Sequence, residues 1–236
     1  MKNTYKIFFF LIFISLSLQA EIQYDSPSAE EIKLIEFVEE SIQKAYQGIS
    51  QLDSSVYEII GASSRKVRDL LNNLCSNSNT RFLEIGCWKG STLISALYKN
   101  QSSVDLAVAI DIAPDRDFAL NTTKFLPPNF FQFYSADCFA IDPLQIIPTP
   151  INVYFYDGEH YFMDQELAFT YYNSVLDNLF IAIIDDWNWE NVKNGTYSAF
   201  DKLNYTILYE NELPARFNGD VEQWWNGIYI AVIRKS

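Results

Sequence analysis

The sequence predicts an α/β protein: a mostly parallel sheet with helices on both faces and an antiparallel pair at its end. Three observations carry this. From Arg81 onward, short apolar runs of β character alternate with helical patterns. The first run, Arg81-Phe82-Leu83-Glu84-Ile85, breaks at Gly86 and resumes as a helix after Gly90, which is a strand, a glycine loop and a helix. The last two runs follow each other with no helix between them.

Taken in order, Ser28 and Glu31 form a capping-box pattern ahead of a helix. Its apolar residues are Ile32, Ile35, Val38, Ile42, Ala45 and Ile49, and Gly48 stands where a C-terminal glycine belongs. A shorter helical piece covers residues 52–60. Gly61-Ala62-Ser63-Ser64 is a break, and Ser64 caps a helix over residues 65–74 with Val67, Leu70, Leu71 and Leu74 on its apolar face. These helices read as a front extension, residues 21–79, before a main domain at residues 80–236.

In the main domain, residues 104–111 form a buried strand ending in Asp111, and residues 115–125 a weak helix. A Pro127-Pro128-Asn129 turn leads to a strand at 130–134. Asp142 with Pro143 opens a short helix to residue 147. A strand at 151–156, a helix at 162–176 and a strand at 180–184 follow. The last helix spans 191–203, and strands at 205–210 and 227–233 close the chain.

The chain has 236 residues, 49% of them apolar and 16% aromatic, enough for one α/β domain with a full core. A net charge of -13 disfavours phosphate backbones and anionic lipid, which speaks against nucleic acid as a substrate. Cys75, Cys87 and Cys138 lack metal-binding spacing and cannot make an even disulfide framework, so they read as buried free thiols. Residues 1–20 read as a secretory signal peptide: Lys2 and Lys6 flank the start of an apolar run that ends at Leu18. Leu18 is larger than a cleavage site prefers, which leaves retention as a membrane anchor open. Glu21, Asp25, Glu30 and Glu31 after the run favour export of the rest, with a cytoplasmic chain as the alternative.

The glycine loop spells E-x-G-x-x-x-G-S-T from Glu84 to Thr92. Trp88 stands where a dinucleotide fingerprint needs glycine, and Gly86 to Gly90 is too short for a P-loop. A carboxylate two residues before the first glycine would repel a diphosphate and suits a cationic ligand. Further acids end the following strands: Asp111, Asp157 and Asp185, with Asp137 just past another. Strand carboxyl ends share one edge of a parallel sheet, so these acids should line one cleft. Capping of strand-to-helix turns explains one or two such acids well and five poorly.

The stretch around Glu84 resembles motif I of the class I S-adenosylmethionine (SAM)-dependent methyltransferases. The resemblance spans roughly residues 81–234 and implies a Rossmann-like, seven-stranded methyltransferase sheet. It implies that Glu84, Gly86, Gly90 and Ser91 surround the methionine part of SAM, that Asp111 accepts from the ribose hydroxyls, and that Asp137 with Cys138 contacts adenine. The alternative for Asp111 is a turn-forming acid before Pro114. Asp157-Gly158-Glu159-His160 and Asp185-Asp186-Trp187 look like the second half of catechol-type and macrolide-sugar O-methyltransferases. Asp157, Asp185 and Asp186 would then hold Mg²⁺ or another divalent cation, with His160, the chain's single histidine, as the base. The competing reading makes Asp185 and Asp186 caps of the next helix. Trp187, Trp189, Trp224 and Trp225 either wall an acceptor pocket or pack a sheet edge. The family's Gly-Gly turn before the fifth strand is replaced by Leu176-Asp177-Asn178-Leu179, where Asn178 is expected to form the turn.

The implied activity is SAM-dependent methylation of a small-molecule acceptor, most simply on oxygen. Export sits uneasily with a cofactor made in the cytoplasm, so an exported, non-catalytic binding protein that retains the fold is the alternative. The membrane enters only through the N-terminal segment.

Overall fold

The computed structural model describes residues 26–236, and the expected signal peptide or anchor at residues 1–20 lies outside them. In chain order the elements are α1 (Ala29–Tyr46), α2 (Ser54–Tyr57), α3 (Arg65–Leu74), β1 (Thr80–Ile85), α4 (Ser91–Leu97), β2 (Val104–Asp111), α5 (Asp117–Phe125) and β3 (Gln132–Ser135). Then come α6 (Pro143–Ile146), β4 (Ile151–Tyr156), α7 (Phe162–Thr170), β5 (Leu176–Ile184), α8 (Glu190–Lys202), β6 (Thr206–Leu213) and β7 (Ile228–Arg234). Among the described residues no helix is long and apolar enough to cross a membrane.

The strands form one seven-stranded sheet in the order β3-β2-β1-β4-β5-β7-β6. The first five run parallel, and β7 pairs antiparallel with both β5 and β6. This is the expected sheet with its antiparallel end. Strand order reverses between β1 and β4, which makes their carboxyl ends the switch point where an open sheet leaves a crevice.

Alternate strand residues face two cores because successive side chains point to opposite faces. Phe82, Ala107, Ala109, Val153, Phe155, Ile181 and Ile183 pack with α1, α3 and α4, while Leu83, Val108, Ile110, Tyr154, Ala182 and Ile184 pack with α7 and α8. The front helices share the first of these cores with the sheet. Ser28 caps α1 with a complete capping box, and Glu31 also receives Arg234 Nη1 at 3.1 Å, so the first helix is tied to the last strand.

The structure corrects the region after α7. The helix stops at Thr170, a 3₁₀ turn covers Asn173–Val175, and residues 176–179 belong to β5. Asn178 is therefore in a strand and makes no left-handed turn. Non-local pairing overrides the local pattern here. Leu176 pairs with Ile151 and Leu179 with Arg234, while the Lys235 amine donates to the carbonyls of Asn173 and Leu176. Asp177 is held by Arg81.

One buried side chain locks the front helices to the motif helix. Asn72 is fully buried; its Oδ1 accepts from the Gln51 amide at 2.9 Å and its Nδ2 donates to Ser95 O at 2.8 Å and Tyr98 O at 3.0 Å. Replacing it strands those partners in a dry interior. Asn72→Ala is expected to lower unfolding stability by about 2–4 kcal/mol, read as a shifted urea midpoint with unchanged slope.

Candidate functional site

The carboxyl edge of the sheet is stitched into one row by backbone bonds that continue past the strands. Gly86 N donates to Ile110 O, Asp157 N to Ile85 O, Asp185 N to Tyr156 O and Ala136 N to Asp111 O. Strand-end acids far apart in sequence therefore stand side by side. Gly86 has φ +87, and a Cβ there would lie 1.9 Å from the Asp157 carbonyl oxygen, so only glycine lets the β1 and β4 loops touch. Gly90, at φ +81, sits just before α4.

Asp111 shapes this loop. Its Oδ2 accepts from the amides of Cys87 (2.9 Å) and Trp88 (2.8 Å), and its Oδ1 accepts from Ala113 at 2.8 Å. The carboxylate thus fixes the backbone around Trp88, which is held at φ +40. Asp137, one strand further along, is exposed and accepts from the Phe139 amide at 2.9 Å in a local turn. Cys138 is half-buried, its carbonyl accepts from the Tyr172 hydroxyl, and burial pushes its thiol up to about 12. All three cysteines are free thiols. Ser91 is buried, with its hydroxyl packed against Gly61.

Glu84 is fully buried on the α4 side of β1. One carboxylate oxygen accepts from the Thr92 hydroxyl at 2.5 Å, while Oε2 is buried with no partner. Burial pushes its pKa up to about 8, the Thr92 bond opposes this and the Asp111 charge adds to it. A buried carboxylate oxygen without a donor is costly, and a ligand cation removes that cost.

The other half of the edge joins Asp157, His160, Asp185 and Asp186. Ligand atoms of Asp157, His160 and Asp186 all lie within 4.8 Å of one another. His160 Nε2 meets Asp186 Oδ2 at 2.5 Å, and Asn226 donates to the other oxygen of Asp186. Asp185 stands behind them, with Oδ1 accepting from the Asp186 amide at 2.8 Å. Burial, reinforced by mutual repulsion, raises the carboxyls of Asp157 and Asp185 well above the usual range. The Asp186 hydrogen bond raises His160, against desolvation. The His160 ring packs edge-on against Trp189, with centroids 4.4 Å apart. Asp186 itself is left-handed, at φ +59.

Two of the aromatics belong to the interior. Trp187 and Trp224 are each 1% exposed, the first stacked on Tyr229 and the second edge-on against Tyr46 of α1. Sequence reasoning passed over Asn226 and Thr92. The Thr92 hydroxyl was legible as part of the motif, whereas nothing in the spacing marks Asn226.

A cavity of about 660 Å³ lies at the opposite edge of the sheet, between α1 and the amino ends of the strands, and contains none of these acids. The cleft above Gly86 is about 20 Å³ and is lined by Ala62, Gly86, Cys87, Trp88, Ser91, Thr92 and Asp157. It has room for about one water molecule, which needs roughly 10–15 Å³ of such volume.

No family model and no curated protein matches the sequence. Solved structures do match. SMU.776, described as a methyltransferase and crystallised with SAH, shares 19% identity over 74% of this chain and 50% of its own, with a TM-score of 0.53. This chain thus spans about half the length of that protein. The O-methyltransferase from Bacillus cereus in complex with SAH covers 84% of this chain and 91% of its own, at 13% identity and a TM-score of 0.53. TomG from Streptomyces achromogenes, an O-methyltransferase with bound SAM, covers 83% and 90%, at 14% identity and a TM-score of 0.53. The neighbours also include a Pyrococcus horikoshii protein described as an RNA methyltransferase and the N-methyltransferase NodS from Bradyrhizobium japonicum. The fold is that of the class I SAM-dependent methyltransferases.

The Glu84 carboxyl gives this site a measurable signature. Its folded pKa of about 8 lies above its ordinary 4.5, so the folded state is penalised increasingly as pH rises between those values. Glu84→Gln removes the titration. The variant is expected to gain stability over the wild type as pH rises from about 5 to 8, reaching roughly 2–4 kcal/mol, measured by denaturant unfolding across that range.

Proposed function

We propose that the chain is a SAM-dependent methyltransferase acting on an oxygen of a small-molecule acceptor. The observation that carries the cofactor reading is the orphaned, buried Oε2 of Glu84, a residue held by Thr92 of the crevice at the switch point of a methyltransferase sheet. A ligand bearing an ammonium and a sulfonium suits a wall of carboxylates. When bound, SAM supplies a methyl group on a cationic sulfur. Glu84 would take the ammonium. Asp111, already oriented by the Cys87 and Trp88 amides, would accept from the ribose hydroxyls. Asp137 and Cys138 would border the adenine. Gly86 and Gly90 would let the backbone approach.

The acceptor side is built from His160 and its neighbours. Asp186 fixes the imidazole through Nε2, which leaves Nδ1 without a partner among the described residues and directs the ring past Trp189. His160 would take the acceptor hydroxyl's proton at that nitrogen. Of the expected metal ligands, Asp157 and Asp186 come together with His160, while Asp185 stands outside that group; Asp157 and Asp186 would hold a hard divalent cation, which would lower the pKa of the acceptor hydroxyl. The net charge of -13 favours a small acceptor over an RNA.

Calorimetric titration with SAM tests the cofactor reading, and saturable binding is expected. Asp111→Ala is expected to weaken SAM by about 1.5–3 kcal/mol; an unchanged dissociation constant removes the ribose role, and no binding by the wild type at millimolar SAM removes the whole assignment. Catalysis is read as methyl transfer from labelled SAM to a panel of catechol and sugar acceptors. His160→Ala is expected to reduce turnover about 10²–10⁴-fold with SAM binding nearly intact. Chelation is expected to abolish turnover and Mg²⁺ to restore it. Full activity in the chelated His160→Ala protein would sink this mechanism.

A further inference from the structure

Asn226 reaches the His160 cluster from the loop between β6 and β7, 40 residues beyond Asp186. Its Nδ2 donates to Asp186 Oδ1, while Asp186 Oδ2 meets His160 Nε2 at 2.5 Å. Each oxygen of that carboxylate therefore has its own partner. Asp186 is 4% exposed, and Asp157 and His160 offer ligand atoms within 4.8 Å of its own. A buried carboxylate takes up the donors that reach it. The Asn226 amide is neutral, so it orients Asp186 without cancelling the negative charge that faces the imidazole.

The backbone places this amide. Asn188 N donates to Asn226 O at 2.9 Å and Trp187 N to Gly227 O at 3.0 Å, so the β7 side of the loop stays paired with the segment after β5. Gly219 N donates to Asn226 Oδ1 at 2.7 Å, which leaves the NH₂ end of the amide for Asp186. Left-handed residues flank the contact on both sides: Asp186 at φ +59, Trp225 at φ +61 and Gly227 at φ +92. Asp186 and Trp225 carry side chains, for which this conformation is unfavourable and persists only where surrounding contacts impose it. A Cβ on Gly227 would lie 2.6 Å from Asn188 Oδ1, so glycine lets the loop close onto the Asp186 segment.

We propose that Asn226 is a positioning residue for His160: it fixes the Asp186 carboxylate, whose other oxygen then holds Nε2 and presents Nδ1 to the acceptor hydroxyl. This rests on the reading of His160 as the base. A carboxylate that orients an imidazole sets which nitrogen is left to take a proton. Without the amide, Asp186 is free to turn about its terminal bond, and the imidazole loses a fixed partner. Asn226 acts wholly through Asp186 in this role.

The chain has a single histidine, so His160 gives a single set of imidazole signals. The test is proton NMR of the full chain in the presence of chelator, reading the low-field Nε2–H resonance of an imidazole hydrogen-bonded to a carboxylate. It is expected in the wild type and absent from His160→Ala, which assigns it. Asn226→Ala and Asn226→Asp are each expected to lose it to exchange with water, with circular dichroism unchanged. Asn226→Asp keeps an acceptor for Gly219 N and sets a carboxylate against Asp186, so it separates the donor from support of the loop. Absence of the resonance from the wild type overturns the proposal without need of a variant, and so does its persistence in either Asn226 variant. Methyl transfer from labelled SAM to the catechol and sugar acceptors distinguishes this proposal from the reading beneath it. Both Asn226 variants are expected to lower kcat about 10–100-fold with SAM affinity nearly unchanged by calorimetry. Full turnover in the His160→Ala protein removes the base reading and this proposal together. An inactive His160→Ala protein beside fully active Asn226 variants removes this proposal alone.

Discussion

The contact between Gly86 and the Asp157 carbonyl sets the carboxyl edge of the sheet. Parallel strands bring their ends to a common edge, but side chains ordinarily keep neighbouring loops several ångströms apart. Here the missing Cβ lets the β1 loop press onto the β4 loop. Ladder bonds from Gly86, Asp157 and Asp185 then extend the sheet one residue further on three adjacent strands. The motif helix, the Asp111 clamp and the His160 cluster all hang from that extension.

Closing the edge concentrates like charge. Glu84, Asp157 and Asp185 are each driven toward the protonated form by burial, and their neighbours' charges add to the effect. His160 lies beside Asp157 in this cluster and is committed to Asp186. Such an edge has a standing preference for cationic ligands, which matches a sulfonium cofactor and a divalent metal alike.

Much of this was readable from local chemistry. The strand over residues 104–111, the strand over 151–156 and the Ser64-capped helix fall where the apolar runs and caps place them. The strand-end acids were legible because parallel topology turns a position in sequence into a position on one edge. Residues 176–179 were misread because their state is decided by Arg234 and Lys235, more than fifty residues away. Arg68 was hidden for a different reason. It stands beside Val67 on α3, and the packing of α2 and the loop after it buries it. Asn226 lies in an irregular loop where no period applies.

The pairing of Glu31 with Arg234 has a consequence for how the molecule can be held. Because β7 runs antiparallel, Arg234 sits at the amino edge of the sheet, and Glu30 and Lys33 of α1 line the cavity at that same edge. The polypeptide thus enters and leaves the fold at one corner, diametrically across from the acidic crevice.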